Sequence, residues 1–111
     1  MPESRRHRQL KNKDAHTTGS TEYVLPSGNR LDALSPTGIA VEVERSGRDG
    51  IRKSVATLRE AMDTGIARKA RLRVPDWDLD FAHEEMRRQR LGGELTNLTS
   101  STKTNVPKRR K

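Results

Sequence analysis

The sequence predicts an α/β (α+β) domain built on a small mixed β-sheet, with elements in the order β-β-β-α-β-α. Three observations carry this. Apolar and polar residues alternate over 39–44 and again over 67–74, the period of a half-buried strand. Between those segments Ile51, Val55, Leu58 and Met62 fall at intervals of four, three and four, a single stripe on a helix. Two dense turn signals, Pro26-Ser27-Gly28-Asn29 and Ser35-Pro36-Thr37-Gly38, divide the preceding chain into short extended pieces.

The first strand is expected over 22–25 and the second over 30–34. In the third, Ile39, Val41 and Val43 alternate with Ala40, Glu42 and Glu44. The helix spans about 49–63, and Gly65 follows as its cap. Over 67–74 Arg and Lys alternate with Ala, Leu and Val until Pro75 ends the strand. Because it follows a crossover helix, this fourth strand should lie parallel to the third through a right-handed connection. Residues 76–91 read as a second helix, stopped by Gly92-Gly93. Its Trp77 and Phe81 are assigned to core or interface, and Asp76, Asp78 and Asp80 to the favourable charge of a helix start. A further helix in front of the sheet would have only Leu10 as a large apolar residue to bury.

Charge divides the chain. Of 23 basic and 15 acidic residues, residues 1–13 hold five basic and one acidic, and residues 103–111 hold five basic and none. The middle is near neutral. Only 30% of residues are apolar, and adding the eight glycines still falls short of the roughly 45–50% of a typical globular domain. The expected organisation is a basic N-terminal segment over 1–15, one domain over 16–93, and a flexible Ser/Thr-rich linker with a basic tail over 94–111. No apolar run is long enough for a membrane span or a secretory signal, and no cysteine is present for a disulfide, a zinc-thiolate site or a thiol nucleophile. A soluble, intracellular (cytoplasmic) protein with no membrane partner is the default expectation. Basic tails favour a polyanion, most simply nucleic acid.

Four acids carry candidate chemistry: Glu22, Asp32, Glu42 and Glu44. Glu42 and Glu44 are two apart on a strand, so their side chains leave the same face. Whether Asp32 joins them depends on hairpin parity. A two- or four-residue loop puts Asp32 on the face of Val41 and Val43. A three-residue loop, Pro36-Thr37-Gly38, sets it opposite Glu42, with Leu34 opposite Ala40 and Arg30 opposite Glu44. Proline first and glycine last favour the three-residue loop. Three gathered carboxylates raise each other's pKa unless a cation sits among them. Arg30, Lys53 or a metal ion would serve, and oxygen-only ligands suit Mg²⁺ or Mn²⁺. A solvated acidic face balanced by arginines is the other reading.

The string Glu22-(x2)-Leu25-(x2)-Gly28-x-Arg30-x-Asp32, then Ile39-Ala40-Val41-Glu42-Val43-Glu44-x-Ser46, then a helix and a strand, resembles the PD-(D/E)xK nuclease superfamily. Within it the chain is most similar to competence CoiA-like and Holliday-junction-resolvase-like domains, over about residues 16–75. The resemblance implies a restriction-endonuclease-like core and metal-dependent hydrolysis of DNA, branched DNA included. Asp32 matches the metal-binding Asp of the second strand, Glu42 the acid of the third, and Glu22 an upstream acid that often completes the site. Glu44 stands where most members carry lysine, so it would be a further ligand or a proton acceptor, and Lys53 becomes the nearest substitute for the missing amine. Arg30, Arg45, Arg48 and Arg52 would hold backbone phosphates, and Lys108, Arg109, Arg110 and Lys111 would add salt-sensitive affinity. The expectation is a Mg²⁺-dependent (or Mn²⁺-dependent) DNA endonuclease, with a homodimer through the last helix as one arrangement. The alternative is a non-catalytic nucleic-acid-binding or assembly protein, ribosomal and virion components included, with a degenerate site.

Overall fold

The computed structural model describes residues 20–108. The elements are β1 (Ser20–Val24), β2 (Arg30–Leu34), β3 (Ile39–Val43), α1 (Arg48–Asp63), β4 (Lys69–Val74), a 3-10 turn (Asp76–Asp78), α2 (Leu79–Arg88), β5 (Gly93–Asn97) and β6 (Lys103–Val106). They form a six-stranded mixed sheet in sequential order. β1, β2 and β3 make an antiparallel meander, β3, β4 and β5 run parallel, and β6 returns antiparallel. The mixed α/β class and the parallel pairing of β3 with β4 are as expected. The N-terminal helix and the basic segment over 1–15 lie outside the described residues. Among the described residues no helix is long and apolar enough to cross a membrane.

Both helices pack on one face of the sheet. The α1 stripe of Ile51, Val55, Leu58 and Ala61 is buried with Ala82 and Met86 of α2 against Ala40, Ala70, Leu72, Val74 and Leu95. Each large side chain buried this way contributes about 1.5–3 kcal/mol. A smaller cluster of Ala33, Val41 and Val43 lies on the opposite face. The tip of the β1–β2 hairpin is tied to α1 by Glu60, whose carboxylate accepts from the Ser27 hydroxyl at 2.6 Å and the Ser27 amide at 3.0 Å. These bonds hold the Glu60 carboxyl below its ordinary pKa.

Two expectations need correction at the C-terminal side. The Ser/Thr-rich stretch assigned to a flexible linker over 94–111 is instead β5, a turn and β6, so the folded body runs on to Val106. The polar turn is self-satisfied: buried Asn97 donates to Asp76 at 2.7 Å and to the Ser101 hydroxyl at 2.9 Å, and its carbonyl oxygen accepts from the Ser101 amide at 3.0 Å. Gly92-Gly93 does not end the helix either. That role falls to Arg90, in the left-handed region at φ 59°, with the Leu91 amide bonded back to the Met86 carbonyl. The glycines serve close packing, since a Cβ on Gly93 would stand 2.5 Å from the Ala70 carbonyl oxygen.

Candidate active site

The loop between β2 and β3 is the three-residue Pro36-Thr37-Gly38. The Ser35 amide donates to the Ile39 carbonyl at 2.9 Å, and Gly38 takes a φ of 87° that L-residues avoid. Leu34 therefore pairs with Ala40 and Ala33 with Val41, and the next residues in register are Asp32 and Glu42. There the backbone ladder gives way to side chains. The Asp32 amide donates to Glu42 Oε2 at 2.8 Å, and the Val43 amide donates to Asp32 Oδ2 at 2.8 Å. Because the strands part at this point, pairing does not carry Arg30 opposite Glu44. Arg30 pairs with Val24 instead.

The chain also twists here. Leu31 belongs to the core under the helices, whereas Ala33, two residues on, belongs to the opposite cluster. Across the β1–β2 ladder, Glu22 falls between the pairs Thr21–Ala33 and Tyr23–Leu31, beside Asp32, and its φ of 57° is unusual for a strand residue. A non-glycine residue in that region costs roughly 1–3 kcal/mol and persists only where its surroundings enforce it. Register thus brings three of the four candidate acids to one locality, with Glu22 exposed at its margin.

Glu42 is only 6% exposed. Burial, then the Asp32 charge, push its carboxyl well above the usual carboxylate range. A hydrogen bond between the two carboxyls and the charge of Glu44 act in the same direction, and only the Asp32 amide opposes them. Burial therefore favours the protonated form of Glu42.

Glu44 is engaged differently. Its Oε2 accepts from the Arg45 and Ser46 amides at 3.1 Å each and from the Ser46 hydroxyl at 2.6 Å, and its Oε1 accepts from the Ser54 hydroxyl at 3.1 Å. This folds the carboxylate over the first turn of α1, whose N-cap Gly47 supplies no side-chain cap. Negative charge is favourable there. The space exists because residue 50 is glycine: a Cβ would come within 2.6 Å of Glu44 Cδ. A carboxylate accepts about four hydrogen bonds, so Glu44 is a positioning residue for the β3–α1 junction rather than a ready ligand. Lys53, expected as the replacement amine, lies on the exposed side of α1, and its neighbour Ser54 is the residue that reaches Glu44.

Around this end of the sheet, Arg45, Arg48 and Arg52 are exposed. The Arg48 and Arg52 guanidinium carbons lie 4.9 and 5.3 Å from the Phe81 ring centroid, cation–π geometry that joins the starts of α1 and α2. Arg52 also bonds Asp49 at 2.9 Å. Trp77, assigned to core or interface, is 83% exposed, which overturns the core assignment. Lys108 sits apart from these residues, and Arg109, Arg110 and Lys111 lie outside the described residues.

Among the described residues no three His, Cys, Asp or Glu side chains converge into a metal-holding group. The acids that register brings together are Asp32 and Glu42. Two carboxylates would hold a hard divalent ion of the Mg²⁺ kind only with its remaining positions filled by water and substrate phosphate. Sequence reasoning missed Ser54 and Gly50 and placed Trp77 in the core or an interface. Gly50 carried a signal, being a glycine within a helical pattern. Comparison of the chain with protein-family models, curated proteins and solved structures finds no match.

Proposed function

We propose that the protein is a metal-dependent endonuclease acting on DNA, with Asp32 and Glu42 as its metal-holding acids. The observation that carries the reading is the Asp32–Glu42 pair itself: two acids from adjacent strands, each accepting from a backbone amide of the other's strand, one buried and held above its ordinary pKa. Carboxyl groups strongly perturbed by burial and by each other mark candidate functional sites. The PD-(D/E)xK resemblance supplies the reaction class.

A divalent ion between Asp32 and Glu42 would offset phosphate charge and lower the pKa of an attacking water. Glu42, whose protonated form burial favours, would have to give up that proton to hold such an ion. Glu44 fixes the strand-to-helix junction that sets the angle of Glu42. Arg45 and Arg48 offer cationic contacts for backbone phosphates on either side of the scissile bond.

The test is nicking of supercoiled plasmid and cleavage of duplex and branched oligonucleotides with Mg²⁺ or Mn²⁺. Asp32→Asn and Glu42→Gln should each abolish a metal-dependent activity. Cleavage unchanged in both variants would remove the acids from the chemistry. A second reading, binding of nucleic acid without hydrolysis, is favoured by one observation: Glu44, in the lysine position, is committed to Ser46 and Ser54. Retained binding with no cleavage of any DNA form would select it.

A further inference from the structure

At the opposite end of the sheet, where β4 and β5 begin, lies a cavity of about 300 Å³. Met62, Leu91 and Val106 give it an apolar wall, and Arg59, Arg68, Lys69, Arg90 and Lys108 surround it. Its single acid, Asp63, is taken by Arg59 at 3.4 Å. Arg68, Lys69, Arg90 and Lys108 have no ion-pair partner among the described residues. The ends of α1 and α2 point here too, and each helix C-terminus contributes about −0.5 charge. Together they offset about one of the four cations. The remaining charge is a cost to the folded chain unless an anion relieves it.

Arg90 adds an independent sign. It occupies the left-handed position after α2, where glycine is the usual and less strained choice. An arginine there keeps a guanidinium at the cavity rim at the expense of backbone strain.

We propose that this cavity binds a nucleoside monophosphate unit, its phosphate among Arg68, Lys69, Arg90 and Lys108 and its base against Met62 and Leu91. The volume is at the lower end of small-molecule sites, roughly 300–1,000 Å³, and so suits one nucleotide. The apolar wall distinguishes this ligand from a bare anion. Lys69 at the cavity pairs with Ile39, three residues from Glu42 or ~10 Å along β3, and the inference does not rest on the acid pair being catalytic. A free mononucleotide and the phosphorylated end of a strand share this chemistry.

Calorimetric titration of the full chain tests it, using adenosine 5′-monophosphate, adenosine, inorganic phosphate, and 5′-phosphorylated and 5′-hydroxyl tetrathymidylate. The monophosphate or the phosphorylated oligonucleotide should bind at least about tenfold more tightly than adenosine, phosphate or the hydroxyl oligonucleotide. Tighter binding of the oligonucleotide identifies a strand end, and tighter binding of the monophosphate identifies the free nucleotide. The double charge reversal Arg68→Glu/Lys108→Glu should abolish binding. Arg90→Gly, which relieves the backbone and so preserves the fold, should weaken it several-fold, and Asp32→Asn should leave it unchanged. No binding by the wild-type protein, equal binding with and without the phosphate, or undiminished binding by the two cavity variants overturns the proposal.

Discussion

Asp32 and Glu42 each stand in for a backbone acceptor of their own strand, accepting at 2.8 Å from an amide of the neighbouring strand, Val43 to Asp32 and Asp32 to Glu42. The exchange holds two carboxyl groups together where β2 and β3 part. Burial and the Asp32 charge, against the pull of the Asp32 amide, favour the protonated form of Glu42, so the folded chain binds that proton more tightly than the unfolded chain does. The contribution is fully present below the ordinary carboxyl pKa and is lost as pH rises through the elevated one. Glu42→Gln keeps an acceptor for the Asp32 amide and removes the charge. It should therefore stabilise the fold at pH 8 by about 1–3 kcal/mol, the cost of a poorly matched buried polar group. The advantage should vanish near pH 4. Thermal melts across that range check this, and a variant that melts lower than wild type at pH 8 contradicts it.

The same proton competes with a cation. Divalent ion binding at Asp32 and Glu42 should tighten as pH rises toward the elevated Glu42 pKa and should release a proton. Calorimetry in two buffers of different ionisation enthalpy reads that proton directly. With only two protein carboxylates available, uptake should be stronger in the presence of a duplex oligonucleotide, whose phosphates complete the coordination. Asp32→Asn should lose the effect. Uptake indifferent to pH, or retained in that variant, would place the ion elsewhere.

Gly50 and Glu44 form a coupled pair of a different kind. Alanine in a helix interior is normally favoured over glycine by up to about 1 kcal/mol. Here the added Cβ would press on Glu44 Cδ at 2.6 Å and on the Ser46 hydroxyl. Gly50→Ala should destabilise by about 1–3 kcal/mol. In a Glu44→Ala background much of that penalty should disappear, a non-additivity that a double-mutant cycle measures. Additive effects would mean that Glu44 does not occupy the space over the helix start.

The first strands and the acid pair were legible because their determinants are local. Pro36 and Gly38 specify a loop length, loop length specifies parity, and parity alone sets Asp32 against Glu42. β5 and β6 were not legible, because Leu95 and Val106 are their only fully buried large apolar side chains. Those strands exist through pairing with β4 and through the side chain of Asn97, both tertiary effects that no periodicity records. The hydrogen-bond partners of Glu44 were not legible for a related reason. Its acceptors are filled by residues on a loop and a helix whose approach depends on the missing side chain at position 50. Apolar spacing likewise said that Trp77 lay on a helical segment but not whether that segment would turn the ring inward.

Trp77 is the chain's only tryptophan and stands 83% exposed one turn before Phe81, the ring that carries Arg48 and Arg52. So large an exposed apolar surface adds little to the stability of the fold, while a flat exposed ring suits a base drawn out of its stack. Trp77→Ala should leave the unfolding free energy within about 0.5 kcal/mol of wild type. It should weaken binding of single-stranded or frayed DNA by about 1–3 kcal/mol, the usual worth of one base–aromatic stack. The intrinsic fluorescence of the wild-type protein should be quenched on titration with the same DNA and not with a polyanion lacking bases, such as heparin. Quenching by both to the same extent would assign the change to charge alone, and a stability loss in Trp77→Ala would return the ring to a structural role.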